Sequence, residues 1–276
     1  MKFGNLHLHS TYSDAQFTPS QLVVIGKALG YKALALTDHE TDGGVKTFMN
    51  SAKSQGLDSM PGVEFYGRYN NENLHIVALD YDMDDPAFRA YINDRVERRN
   101  EYTRQCFERG VEMGYITEFT WDDIVKYNPE GAWLNYDSIY NTYTKFFVPF
   151  KSDFRQVIFN SPEARKFAYK APDADKVIKI IRDAGGVAIL AHPYKWTQYV
   201  PELVKYGLNG IEVSHPDNRE NTGALAKEAA KAYNLYVSGG TDHTGAMSGC
   251  DGDLAIPANQ GVTEEEYYTI KERRLG

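Results

Sequence analysis

The chain has 276 residues, 42% hydrophobic and 25% charged, with a net charge of −8. That suits one large domain, or one carrying an inserted subdomain, and the acidic balance argues against long nucleic acid as a partner. Two cysteines (Cys106 and Cys250), no signal-peptide pattern and no apolar run near the ~20 residues of a membrane span make a cytoplasmic protein without a membrane partner the expectation.

Near the N-terminus, Leu6 and Leu8 alternate with His7 and His9. Strand residues two apart share a side, so both imidazoles should face one way and both leucines the other. Asp14 can return a carboxylate from the next loop. Thr18 then reads as a helix N-cap, with Pro19 in the first turn, Gln21 completing a capping box and Gly30 as the stop. Ala33–Leu36 is a buried strand running into Thr37-Asp38-His39-Glu40. A helix from Val45 to Gln55 follows, then strands carrying Met60–Phe65 and Asn73–Asp80.

Asp84-Asp85-Pro86 marks a break. A long charged helix runs from Ala87 to about Gly114, and Thr120 caps another. The aromatic tract from Trp133 to Tyr169 is expected to form short helices in a cap. Alternation resumes at Asp173. The helices are Ala174–Ala184, Tyr199–Tyr206 and Thr222–Tyr233, with a terminal one at Thr263–Arg274. Between them lie strands Val187–Ala191, Gly210–Val213 and Leu235–Ser238. Strands alternating with helices predict a parallel α/β sheet or barrel.

All seven histidines, His7, His9, His39, His75, His192, His215 and His243, fall on strands or just past strand ends. Incidental histidines should also appear on helix surfaces or in the cap, and none does. Asp14, Asp38, Glu64 and Asp242 occupy equivalent positions. This nitrogen and oxygen donor set, without thiolate, suits zinc, manganese or iron, with donors enough for more than one ion. A shared carboxylate can bridge two ions, an arrangement that serves hydrolysis.

The order of these elements resembles the PHP (polymerase and histidinol phosphatase) family. The residues that carry the likeness are His7-Leu8-His9 with Ser13-Asp14, Leu36-Thr37-Asp38-His39, Gly62-Val63-Glu64, His75, Ala191-His192-Pro193 and Gly239-Gly240-Thr241-Asp242-His243. The resemblance implies an α/β fold, a distorted seven-stranded (β/α)7 barrel of residues 1–85 and 173–276. A mainly helical cap subdomain would be inserted at 86–172. It also implies a trinuclear centre. The first ion would be held by His7, His9, Glu64 and Asp242, the second by Glu64, His75 and His192, and the third by Asp14, His39 and His243. The family commonly has Asp-x-His where this chain has Asp242-His243-Thr244. Adjacent strand residues point to opposite sides, so His243 needs a bulge or turn after Asp242 to reach the ions.

Within the family, the nearest likeness is to phosphoesterases with a helical insert, acting on nucleotide 3′,5′-bisphosphates or on RNA from its 5′ end. That branch implies His215 as a substrate contact or a proton donor to the leaving oxygen; a supporting role in the core is the alternative. Arg98-Arg99 and Arg104 resemble the branch's insert arginines, with Arg99 the candidate phosphate clamp. The branch's Arg-x-His is replaced here by Leu134-Asn135-Tyr136.

The expectation is therefore a metal-dependent phosphoesterase hydrolysing a small phosphomonoester, a nucleotide or another phosphorylated metabolite, with a metal-bound hydroxide. His215 and Asp242 are the candidate catalytic residues, and up to three divalent ions (zinc, manganese or iron) are the cofactors. Short 5′-phosphorylated RNA is a further candidate substrate. The alternatives are a non-catalytic module binding metal or a phosphorylated metabolite, and a metal-dependent amidohydrolase.

Overall fold

A computed structural model describes residues 2–218, 222–243 and 259–275; Thr244 and Cys250 lie outside them. Seven strands form one sheet in sequence order: β1 (Gly4–Asn5), β2 (Ala33–Leu36), β3 (Asp58–Tyr69), β4 (Glu72–Leu79), β5 (Val187–Leu190), β6 (Gly210–Ser214) and β7 (Tyr236–Gly239). The segment after β1 closes the ring. Leu6 N–H donates to the Gly239 carbonyl at 3.1 Å and Asp242 N–H to the His7 carbonyl at 3.0 Å. Leu8 bridges His243 in parallel. The result is the expected distorted seven-stranded α/β barrel.

Described helices are α1 (Pro19–Ala28), α2 (Val45–Ser54), α3 (Pro86–Glu112), α4 (Trp121–Tyr127), α5 (Tyr136–Lys145), α6 (Ala174–Asp183), α7 (Val200–Lys205), α8 (Thr222–Tyr233) and α9 (Glu264–Lys271). Several start where the capping chemistry says they should. Thr18 with Gln21, Thr120 with Asp123 and Thr263 with Glu266 each form a reciprocal capping box. None of the described helices is long and apolar enough to cross a membrane.

The sheet is not all parallel, and this corrects the sequence reading. β4 runs antiparallel to both β3 and β5. β3 and β4 form a long hairpin whose tip, Asn70-Asn71, has φ of 49° and 62°. Two consecutive left-handed residues make the tight turn that matches strand twist, and asparagine tolerates it. The reversal has a consequence for the site. His75 lies in the first half of β4, opposite Tyr66 and close to Glu64 on β3, and so reaches the end of the barrel where its parallel neighbours finish.

Only Gly4–Asn5 of the first stretch is regular strand. His7 and His9 still converge, but the leucines separate. Leu6 packs with Met60, Tyr267 and Ile270, and Leu8 with Leu22, Leu36 and Phe48 beneath α1 and α2.

Between β4 and β5, helices α3, α4 and α5 and a π-helical turn at Arg155–Phe159 bury a cluster of their own, including Phe107, Phe119, Leu134, Tyr143 and Phe154. Much of the aromatic tract is spent there. Phe119, Tyr143, Phe150 and Phe154 pack ring against ring.

Candidate metal centre

Glu64 sits at the middle of the site, fully buried on β3. Its Oε2 lies 3.3 Å from both His7 Nε2 and His9 Nε2. Asp242 Oδ1 is 2.8 Å from His9 Nε2 and 3.4 Å from His7 Nε2. Ligands ~2.0–2.1 Å from a tetrahedral ion stand roughly 3.3 Å apart. These four donors have that spacing. His7 Nε2, His9 Nε2, His39 Nδ1 and Glu64 Oε2 are buried and make no hydrogen bond. Buried polar atoms are rarely left so, and a cation accounts for them.

The other oxygen of Glu64 faces a second set. Oε1 is 3.0 Å from His75 Nδ1 and 3.2 Å from His192 Nε2, and those two nitrogens are 3.0 Å apart. Glu64 thus turns one oxygen to each of two donor sets. The donor chemistry fits divalent cations at both places.

The third set is looser and differs from the sequence expectation. His9, Asp14 and His39 group together, with Asp14 Oδ1 3.7 Å from His9 Nδ1 and Asp14 Oδ2 3.7 Å from His39 Nε2. His243 belongs to none of the donor groups found among the described residues. Asp242 itself takes a left-handed φ of 48°, but this turn leaves the His243 ring stacked on Phe17, 6.2 Å between centroids. Gly240 allows the close approach that β7 makes here, since a Cβ on it would lie 2.4 Å from His7.

Of the residues that support these donors, Asp38 and His215 were singled out from sequence and Glu212 was not. Glu212, buried on β6, accepts from His7 Nδ1 at 3.1 Å and from the His192 backbone N–H at 2.7 Å. It keeps the His7 proton on Nδ1 and leaves Nε2 for an ion. Asp38 accepts from the hydroxyls of Ser10 and Ser13 and fixes the turn that brings Asp14 round. His215 accepts the Asp217 backbone N–H at Nδ1, 3.0 Å, so its proton sits on Nε2, 3.1 Å from Asp242 Oδ2.

The electrostatics follow from this crowding. Burial works against charging His7, but Glu64, Asp242 and Glu212 outweigh it and hold its pKa well above the usual range. His9 is raised in the same way by Asp242, Glu64 and Asp14 against its own burial. Glu64 and Asp242 are held well below theirs, the histidines prevailing over burial.

Above the centre stands Arg99 of α3. Its guanidinium lies 4.5 Å from the Tyr66 ring centroid, 5.6 Å from Trp133 and 5.4 Å from Tyr169, within cation–π range. One nitrogen is 3.4 Å from Glu40 Oε1, and the buried Nε makes no hydrogen bond. Arg99, Tyr66 and Trp133 line a cavity of about 210 Å³ that opens beside Asp14. Asp137 and Arg155 line it too. Burial, with Asp14 close by, pushes the Asp137 carboxyl up to about 7 against the pull of Arg155.

Comparison with known proteins decides the lineage. The PHP domain model matches residues 5–184. The chain belongs to the PHP domain family. A phosphoribosyl 1,2-cyclic phosphate 1,2-diphosphodiesterase of Eggerthella lenta is 29% identical, covering 87% of this chain and 94% of the relative. The 5′-3′ exoribonuclease Rnm of Salmonella typhimurium is 28% identical over 86% of this chain and 84% of its own. A solved Bifidobacterium adolescentis protein assigned to the metal-dependent phosphoesterases shares the fold with a TM-score of 0.80 at 23% identity, over 99% of this chain and 96% of that one. PHP membership and the metal-ready donor set make this chain a metal-dependent phosphoesterase.

Proposed function

We propose that this PHP protein hydrolyses a small phosphomonoester, a nucleotide or another phosphorylated metabolite, at a centre for up to three divalent ions of zinc, manganese or iron. The observation that carries the reading is the set of buried, hydrogen-bond-free donor atoms on His7, His9, His39 and Glu64, at ligand spacing. His7, His9, Glu64 and Asp242 would hold one ion and Glu64, His75 and His192 a second. Asp14 and His39 would hold a third with His9. Divalent ions in such sites act as Lewis acids on phosphoryl oxygens and lower the pKa of a water.

The remaining roles belong to the chain itself. His215 directs its Nε2 proton at Asp242 and so holds that carboxylate in place. Arg99 presents its unbonded Nε to a phosphoryl oxygen. Residues 86–172 act as the cap that covers the centre and selects the rest of the substrate. Two contacts pin the cap to the metal loops: Asn135 Nδ2 donates to the Ser13 carbonyl at 2.8 Å, and Trp133 N–H to that of Tyr12 at 2.9 Å. The relatives' names speak for phosphodiesters and for RNA 5′ ends as neighbouring chemistries.

The test is turnover by the metal-loaded protein across mononucleotides, bisphosphates, sugar phosphates and short 5′-phosphorylated RNA, with manganese and with zinc. Asp14→Ala and His192→Ala should each cut kcat by at least a hundredfold. A protein that binds the metals yet turns over none of these esters is a binding module.

A further inference from the structure

The cavity beside Asp14 has a composition that the phosphate chemistry of the centre does not explain. Asp137, on the first turn of α5 and only 9% exposed, is part of its lining. A site built for a second phosphate would be expected to exclude a buried carboxylate. Nor are the arginines without partners. Arg99 already faces Glu40, and Arg155, exposed, lies over the Tyr136 ring at 5.0 Å. Two carboxyl groups, Asp14 and Asp137, line the cavity with the two guanidiniums.

The segment that carries Asp137 is committed to structure. Asn135 Oδ1 accepts the backbone N–H groups of Asp137 and Ser138, and its Nδ2 holds the Ser13 carbonyl. Leu134 is buried in the aromatic cluster. Neither offers a phosphate donor. The Asp137 carboxyl shares the lining with the rings of Trp133 and Tyr136 and with Arg99, Arg155 and Asn160. A dianionic phosphate placed there would share a poorly solvated cavity with two carboxyl groups, Asp14 and Asp137, and would be repelled to the extent that they are ionised. A hydroxyl or amino group would satisfy Asp137 instead. The volume of about 210 Å³ is below the ~300–1,000 Å³ of drug-sized pockets and suits a single ring.

We infer that Asp137 is a specificity-determining residue: the cavity takes a neutral, hydrogen-bond-donating leaving group, a sugar or an amino-bearing base, and disfavours a second phosphate. This rests on the phosphoesterase reading and deepens it. The experiment compares wild type with Asp137→Asn, both manganese-loaded, on adenosine 5′-monophosphate, ribose 5-phosphate, adenosine 3′,5′-bisphosphate and 4-nitrophenyl phosphate, whose leaving group brings no amino group or sugar hydroxyl. Wild type should favour one of the two monophosphates over the bisphosphate by about tenfold or more in kcat/KM. Which of them wins tells the base from the sugar. Asp137→Asn should narrow that ratio at least tenfold, through KM. It should cost the preferred monophosphate far more than 4-nitrophenyl phosphate. A wild type that prefers the bisphosphate, or a variant that loses all four substrates equally, overturns the inference. Calorimetric binding of the same monophosphates and bisphosphate to both metal-loaded proteins gives the same ratio without turnover. If no ester is hydrolysed, the catalytic reading fails while the binding ratio still decides the role of Asp137.

Discussion

His7 can offer Nε2 to an ion only while its proton stays on Nδ1, and Glu212 holds it there. The same carboxylate takes the backbone N–H of His192, so one residue orients donors for two ions. Glu212→Gln keeps the size but loses the charge. It should weaken metal affinity by about 10–100-fold, measured by competition with a chelator, while the circular dichroism of the metal-free protein stays unchanged. Unaltered affinity would mean that Glu212 only packs. The histidines were legible from sequence because each lies on a strand or just past its end; Glu212 was seen only as part of Gly210-Ile211-Glu212-Val213, a stretch resembling the branch's strand signature, and was given no role. Its one signal was that stretch: a carboxylate on a strand expected to be buried needs a partner. His243 was legible as a departure from the family pattern; after the left-handed turn at Asp242 its ring stacks on Phe17.

At the scale of elements, α3 is locked to the barrel immediately behind the site. Glu40 follows His39 in a left-handed conformation, φ 62°, and its carboxylate takes both Nε and Nη2 of Arg95 at 2.5 Å. Neither side chain is exposed at all. Glu40 also accepts the Tyr66 backbone N–H at 3.0 Å, and Tyr66 stacks on His39. Removing one member of such a pair leaves the other charged and buried, which costs about 3–5 kcal/mol. Arg95→Ala should therefore lower the urea midpoint sharply. Arg95→Met with Glu40→Gln should be milder than the single change; a double variant as unstable as the single one would argue that packing, not charge, holds α3. Sequence made α3 visible as a charged helix with arginines on a solvated face, which Arg98 and Arg104 occupy. It gave no sign that Arg95 points inward, because one buried arginine does not alter the periodicity of a long polar helix. The β3–β4 hairpin was likewise hidden by an expectation of parallel strands, although Asn70-Asn71 carried the turn signal.

Over the whole molecule, the buried cluster couples stability, protons and metal. In the metal-free protein, His7 and His9 have raised pKa values and Glu64 and Asp242 lowered ones. A raised histidine stabilises fully below its unfolded value of 6.5, and that contribution is lost as pH climbs through the folded value. A lowered carboxylate stabilises above its unfolded value near 4 and loses this as pH falls. Metal-free stability should therefore be greatest between about pH 4.5 and 6.5 and decline on the alkaline side. Metal binding has the opposite slope, since imidazoles must shed their protons to ligate. Manganese or zinc should raise Tm little at pH 5.5 and much more at pH 8, by a gain of about 2.7 kcal/mol once the free ion reaches a hundred times its Kd. Paired melts with chelator and with metal across that range measure it. A metal-induced gain that shrinks as pH rises would show that the histidine cluster is not where the ions bind.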